Sequence, residues 1–249
     1  SFVTSAPAAI RASAPITLKA EHERQARITT TSGVENGLLM SNCSWWVIEG
    51  LHISGGDYAG AATEPIDIDR SSHITLRRLL LHHNNRYHNT HLLSILYSTQ
   101  IVVEESELYS FHRHAILNWY TDQSVYRRNY CHSRGYQDIP TCSSSNACSG
   151  IPDRGDGCIS IYPGNANLIE NTISEANYEL TEINGLDTNV GNRVFGSISL
   201  DDYVGAIPNV RAYTPRNVTF KDFVVIRPLW YGLKSEGAEN VQCHGCTVL

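Results

Sequence analysis

Short runs of alternating apolar and polar residues recur along this chain, and nine of them superimpose. Anchored at Ile16, Trp46, Ile74, Ile101, Ser124, Asn167, Val190, Val218 and Val241, the segments place apolar residues two, five and seven positions later. Examples are Ile48, Leu51, Ile53; Leu76, Leu79, Leu81; and Phe220, Phe223, Val225. Period two puts successive side chains on opposite faces of a strand, so these columns face a core and the residues between them face outward. A second apolar column stands eight residues before most anchors (Leu38, Ile66, Leu93, Ile116, Ile159, Val210, Leu233) and gives each repeat at least two strands. Amphipathic helices need apolar residues at i, i+3, i+4 and i+7 over about ten residues or more; runs such as Ser72 to Leu79 are shorter and bounded by turn residues. Repetition at this period is the signature of a solenoid. The expectation is an all-β, single-domain parallel β-helix of about eight to nine rungs, with two or three strands per turn. It covers residues 1–249 and carries a loop insertion at about 133–156.

Three residues after each anchor stands a column of Lys19, Glu49, Arg77, Glu104, Arg127, Glu170, Arg193, Lys221 and His244, largely alternating in sign. Adjacent rungs of a parallel sheet lie roughly 4.8 Å apart, so these charges are expected to stack on opposite partners. Each exposed pair is worth under about 1 kcal/mol, and the column reads as architecture rather than chemistry.

The rungs Ala14-Pro15-Ile16-Thr17-Leu18-Lys19-Ala20, Ser72-His73-Ile74-Thr75-Leu76, Leu168-Ile169-Glu170-Asn171-Thr172-Ile173 and Arg216-Asn217-Val218-Thr219-Phe220 carry a resemblance to the right-handed parallel β-helix proteins of the pectate-lyase-like superfamily. It covers nearly the whole chain. What it implies is a right-handed coil and a carbohydrate-related role; that fold hosts lyases, hydrolases, epimerases and non-catalytic spikes.

The formal charge of -6 argues against general nucleic-acid binding, and no 18-residue apolar run suggests a membrane span. Ser1 opens directly into Phe2-Val3-Thr4, and Cys246-Thr247-Val248-Leu249 stop inside a predicted strand. Both ends therefore read as trimmed, with flanking domains or end-to-end stacking as the expected cover. Of seven cysteines, Cys142 and Cys148 enclose a polar loop and are expected to pair in a secreted or cell-surface protein. Cys131, Cys243 and Cys246 fall on inward columns and read as buried thiols.

Chemistry is expected where loops vary on a constant scaffold. The insertion after Cys131 holds Arg134, Tyr136, Asp138, Asp153 and Arg154; the preceding loops hold His82, His83, Arg86, His88 and His91, then His112, Arg113 and His114. With His132, this concentrates seven of the eleven histidines on three stacked loops, a locally cationic wall suited to an acidic polysaccharide. Outward residues Asp67, Asp69, Trp119, Ser160, Tyr162, Arg211 and Lys234 are expected to extend it, with Trp119, Tyr120 and Tyr162 placed to stack on sugars.

Three functions compete. A lyase acting by β-elimination needs a carboxylate neutraliser, a base and an acid: Arg113 or Arg134, His112 or His114, and Tyr136 or Tyr162 respectively. His82, His83, Arg86, His91, Trp119, Arg154, Tyr162 and Lys234 would bind substrate, and calcium held by Asp67, Asp153 or Asp156 is the alternative neutraliser. Lyases of the resembled fold carry a Lys-Ser pair and Arg-His-Gly; the nearest match here is Arg113-His114-Ala115. A glycoside hydrolase would use Asp201-Asp202 with Asp187 or Asp156. A non-catalytic surface or assembly rod is the third reading.

Overall fold

A computed structural model describes residues 2–4, 15–30, 36–55, 64–84, 90–133, 155–185, 187–210 and 212–249. Their strands form three sheets of nine parallel strands each, and every strand pairs with the equivalent strand one turn away. The expected β-helix is met, with three strands per turn. Strands such as His114–Trp119 belong to the first sheet, Val125–Arg127 to the second and Tyr130–His132 to the third.

Ile48, Ile53, Leu76, Leu79, Leu81, Phe220, Phe223 and Val225 all point into one continuous core and are at most 1% exposed. Each such side chain contributes about 1.5–3 kcal/mol by leaving water. Corners of the coil carry polar ladders that satisfy backbone groups inside it. Ser71 N–H donates to Ser98 Oγ at 3.0 Å, and Ser98 N–H donates to Thr121 Oγ1 at 3.0 Å. At the anchor column Ser124 N–H donates to Asn167 Oδ1 and Asn167 N–H to Asn192 Oδ1, both at 2.9 Å.

That last ladder corrects the register of one rung. Asn192, not Val190, is the seventh anchor, so Phe195 stands above Glu170 and Arg193 pairs with Leu168. In the first sheet Ala206, not Val210, continues the apolar column, and Thr181 fills the rung between Ile159 and Ala206. In both places a small or polar residue sits inside and an apolar neighbour draws the sequence alignment toward itself. Elsewhere the charge ladder is built as expected. Lys19 Nζ lies 2.9 Å from Glu49 Oε1, Arg77 Nε donates to Glu49 Oε2 at 2.7 Å, and Arg127 Nε to Glu104 Oε2 at 2.7 Å.

All three expected buried-thiol assignments fail. Cys131 faces inward but is bonded to Cys158, with Cα atoms 5.5 Å apart, and Cys243 is bonded to Cys246. Residues at the end of the third sheet and the start of the first face each other across the interior, a proximity that a separation of 27 residues conceals. Gly155 N–H also donates to Ser133 Oγ at 2.9 Å, so the insertion leaves and re-enters the coil at one pinned point. Cys142 and Cys148 lie outside the described residues.

Candidate functional site

The connections that vary most run from the third sheet into the first, and the first sheet's outer face is where polar and titratable side chains collect. Two columns run across it. One reads Glu64, His91, His114, Gly157, Glu179; the other reads Asp67, Ser94, Leu117, Ser160, Glu182. His114 is fully buried, and its Nδ1 shares a hydrogen bond with Ser160 Oγ at 2.8 Å. Its Nε2 is buried with no hydrogen-bond partner among the described residues. The His91 ring stacks on it at 5.1 Å with its plane nearly parallel, and the Tyr162 ring meets it edge-on at 5.4 Å.

Gly157 makes this convergence possible. A Cβ there would lie 2.6 Å from Ser160 Oγ, 3.1 Å from His114 Nδ1 and 3.4 Å from Glu179 Oε1, so only glycine lets the three groups meet. The Arg113 guanidinium lies over the Tyr162 ring at 5.7 Å. The Tyr162 hydroxyl donates to Glu182, whose other oxygen accepts from Asn184 Nδ2 at 2.8 Å and Asn209 Nδ2 at 3.0 Å.

Burial shifts the pKa values of several of these groups toward their uncharged forms. Burial lowers His114 well below the ordinary histidine range, helped by His91 and Arg113, and burial with Arg113 and His112 lowers His91 to about 3. Burial raises Glu64 to about 7, and burial together with Asp69 raises Asp67 to about 6. Burial and the Glu182 carboxylate push Tyr162 well above the usual phenol range, so it keeps its proton. Neutral imidazoles beside a protonated phenol and carboxyls that titrate near neutral pH are a setting for proton transfer.

Of the residues expected at the site, His91, Arg113, His114, Trp119 and Tyr162 come together on adjacent strands of this face. His112 is buried at its edge, where its N–H donates to Asn84 Oδ1 at 2.8 Å. His82 and His83 do not join them. They stand at the end of the third sheet, where His82 stacks on Tyr109 at 4.8 Å and Tyr109 on His132 at 5.3 Å. Lys234 lies at the far end of the first sheet, four strand spacings or about 19 Å from the His114 strand, with Nζ over Trp230 at 4.8 Å and paired to Glu236. Tyr120 turns its face to Tyr97 at 5.4 Å and 11°, which leaves that face no room for a sugar.

Asp67 and Asp156 are about three strand spacings, or about 14 Å, apart and cannot share one calcium. No group of three His, Cys, Asp or Glu side chains among the described residues is placed to hold a metal ion. Arg86, His88, Arg134, Tyr136, Asp138, Asp153, Arg154 and Arg211 lie outside the described residues. The Asp201-Asp202 pair expected of a hydrolase is structural: Asp202 is buried and accepts from Asn177 N–H and Ser199 Oγ, while Arg227 binds Asp201 through Nε and Nη2. Glu64, Gly157, Glu179 and Glu182 were absent from the sequence-derived candidates. Their signal was positional: each shares a column with His114 or Ser160 once the first sheet is in register.

No family model matches the sequence, and no curated protein matches it. Among solved structures, the chain is similar to pectate lyase Pel9A at 12% identity and a TM-score of 0.63, covering all of this chain and 63% of that one. It is also similar to a GH136 lacto-N-biosidase from Eubacterium ramulus at 10% identity and a TM-score of 0.60, over 96% of this chain and 58% of that one. An alginate lyase from Paenibacillus sp. str. FPU-7 matches at 13% identity and a TM-score of 0.52, over 95% and 85%. At such identities the likeness is one of fold, and the shared fold is the parallel β-helix.

Proposed function

We propose that this protein is a carbohydrate-active enzyme, a lyase that cleaves an acidic polysaccharide by β-elimination on the outer face of its first sheet. The observation that carries the reading is the convergence of Arg113 and His114 on the Tyr162 ring, at 5.7 Å and 5.4 Å. Arg113 pairs with a uronate carboxylate and so acidifies the adjacent C–H. The lone pair of neutral His114 takes that proton, and the C–H electrons form a carbon–carbon double bond. The neighbouring C–O bond breaks, and its oxygen takes a proton from the Tyr162 hydroxyl. The likeness to a pectate lyase and an alginate lyase agrees with this reading, and the Cys131–Cys158 disulfide agrees with the extracellular or cell-surface location proposed with it.

One observation favours a second reading. Glu64 and Asp67, with their carboxyl groups raised to about 7 and about 6, offer an acid and a carboxylate for hydrolysis of a glycosidic bond. Incubation with alginate, pectate, chondroitin and heparin separates the two. Elimination yields an ultraviolet-absorbing unsaturated end, whereas hydrolysis yields reducing ends without that absorbance. Neither product from any of the four overturns the lyase reading and leaves a binding rod.

A further inference from the structure

The outer face of the third sheet carries a cluster of imidazoles that takes no part in the reaction assigned above. His52 opens the strand His52–Ser54, and His82 closes the next one, Leu80–His82. Leu80 pairs with His52 and His82 with Ser54, so the two histidines are diagonal neighbours on successive rungs. Ile53 and Leu81 beside them point into the core and are fully buried, which turns both imidazoles outward, where they are half-buried. His52 Nε2 and His82 Nε2 lie 2.5 Å apart. The other nitrogen of His82, Nδ1, meets Nδ1 of His83. Tyr109, one strand further on, stacks on the His82 ring at 4.8 Å and 18° and fixes its plane.

A neutral imidazole has one N–H and one lone pair. With the His82 proton on Nδ1, donated to His83, its Nε2 presents a lone pair toward His52; with the His52 proton on its own Nδ1, a second lone pair faces the first. Metal-binding histidines are held in this way, one nitrogen anchored by a hydrogen bond and the other left to the ion. Burial, with His83, His52 and Arg27, lowers His82 to about 4, and burial with Arg27 lowers His52, so both imidazoles are uncharged at neutral pH and no proton has to be expelled. Nitrogens at about 2.0–2.1 Å from one ion stand roughly 3 Å from each other, an opening of about half an ångström for two half-exposed side chains. Imidazole suits copper, zinc and nickel, whereas calcium and magnesium take oxygen ligands.

We propose that His52 and His82 form a two-histidine site for a divalent transition-metal ion, with His83 as the hydrogen-bond partner that sets the His82 tautomer. Water fills the remaining coordination positions. Copper(II) binds most tightly, since it heads the affinity order for such donors. The bound ion ties two consecutive rungs of the coil together.

Titration of the full chain with copper(II) at pH 7.5, followed by equilibrium dialysis and electron paramagnetic resonance, tests the site. The tightest-bound copper is expected at one per chain, coupled to two imidazole nitrogens. Zinc(II) should displace it and shift the ring resonances of His52 and His82; calcium should do neither. His52→Gln and, separately, His82→Gln should each weaken that copper at least about ten-fold, since loss of an outer hydrogen-bond partner alone costs about 10–100-fold. Both positions face outward, and unchanged melting without metal verifies each fold; where a variant melts lower, the zinc-dependent shifts in the unaltered chain decide. No saturable copper uptake, undiminished affinity in either variant, zinc shifts confined to other histidines, or displacement by calcium overturns the proposal.

Discussion

In the proposed reaction the His114 side chain combines a structural and a chemical part. It is fully buried, so His114→Ala leaves a cavity and should cost roughly 2–4 kcal/mol. His114→Gln, which keeps a polar partner for Ser160, is the better probe and should retain most stability while losing turnover. Arg113 is half-exposed, and Arg113→Ala should abolish elimination with little change in melting temperature. Unchanged turnover in both variants would move the chemistry elsewhere. Glu64 gives a pH signature of its own. Its folded pKa of about 7 exceeds the ordinary 4.5, so the native state holds the proton more tightly and stability falls as pH rises from about 4.5 to about 7. His91 acts in the opposite sense: with a folded pKa of about 3 against 6.5, it costs stability as pH falls through that interval. Glu64→Gln should therefore raise the melting temperature above pH 7 and change it little near pH 4; equal shifts at both would contradict the assigned burial.

At the scale of elements, the second sheet turns into the third through a column of left-handed residues: Gly50, Arg78, Glu105, Arg128, Asn171, Gly196, Asp222 and Gly245. Each non-glycine member costs roughly 1–2 kcal/mol, offset by stacking on its neighbours. Gly, Asn and Asp suggest such turns in a sequence; Arg78, Glu105 and Arg128 conceal them. The strands themselves were legible because Ile, Leu and Val alternate cleanly, and register was lost only where Asn192, Thr181 and Ala206 replaced a large apolar residue. The site was partly legible for the same reason. Histidines and Arg113 drew notice by their density, but their separation onto the first and third sheets depends on strand boundaries that histidine content does not reveal. The charge ladder makes a quantitative prediction. Lys19, with Arg77 and Arg78, holds the Glu49 carboxyl at about 2, so its contribution is full above pH 4.5 and is lost as pH falls toward 2. Glu49→Gln should cost about 1–3 kcal/mol at neutral pH, a deficit that shrinks in acid; a deficit independent of pH would remove the ladder as its cause. The disulfide from Cys131 to Cys158 closes a loop across 27 residues. Replacing both cysteines by alanine should cost about 3–4 kcal/mol by the loop-entropy relation. Hydrogen exchange in the double mutant should loosen around residues 155–160 and leave the rungs after Leu168 protected; uniform loosening would contradict that assignment.

For the whole molecule, the coil presents three faces with different work. The second sheet carries the charge ladder, the third carries the His82, Tyr109 and His132 stack, and the first collects the neutralised acids and bases. Side-chain chemistry thus separates by sheet rather than by position along the chain. The proposed lyase needs neutral His114, which burial keeps uncharged to well below pH 6.5, whereas hydrolysis through Glu64 needs a proton that is lost above about pH 7. The most direct test is the pH dependence of kcat/KM for unsaturated-product formation from the best of the four polysaccharides. The account predicts an ultraviolet-absorbing product whose rate of formation does not fall between pH 7 and pH 5. Reducing ends without that absorbance, formed at a rate that declines as pH rises through about 7, would contradict it.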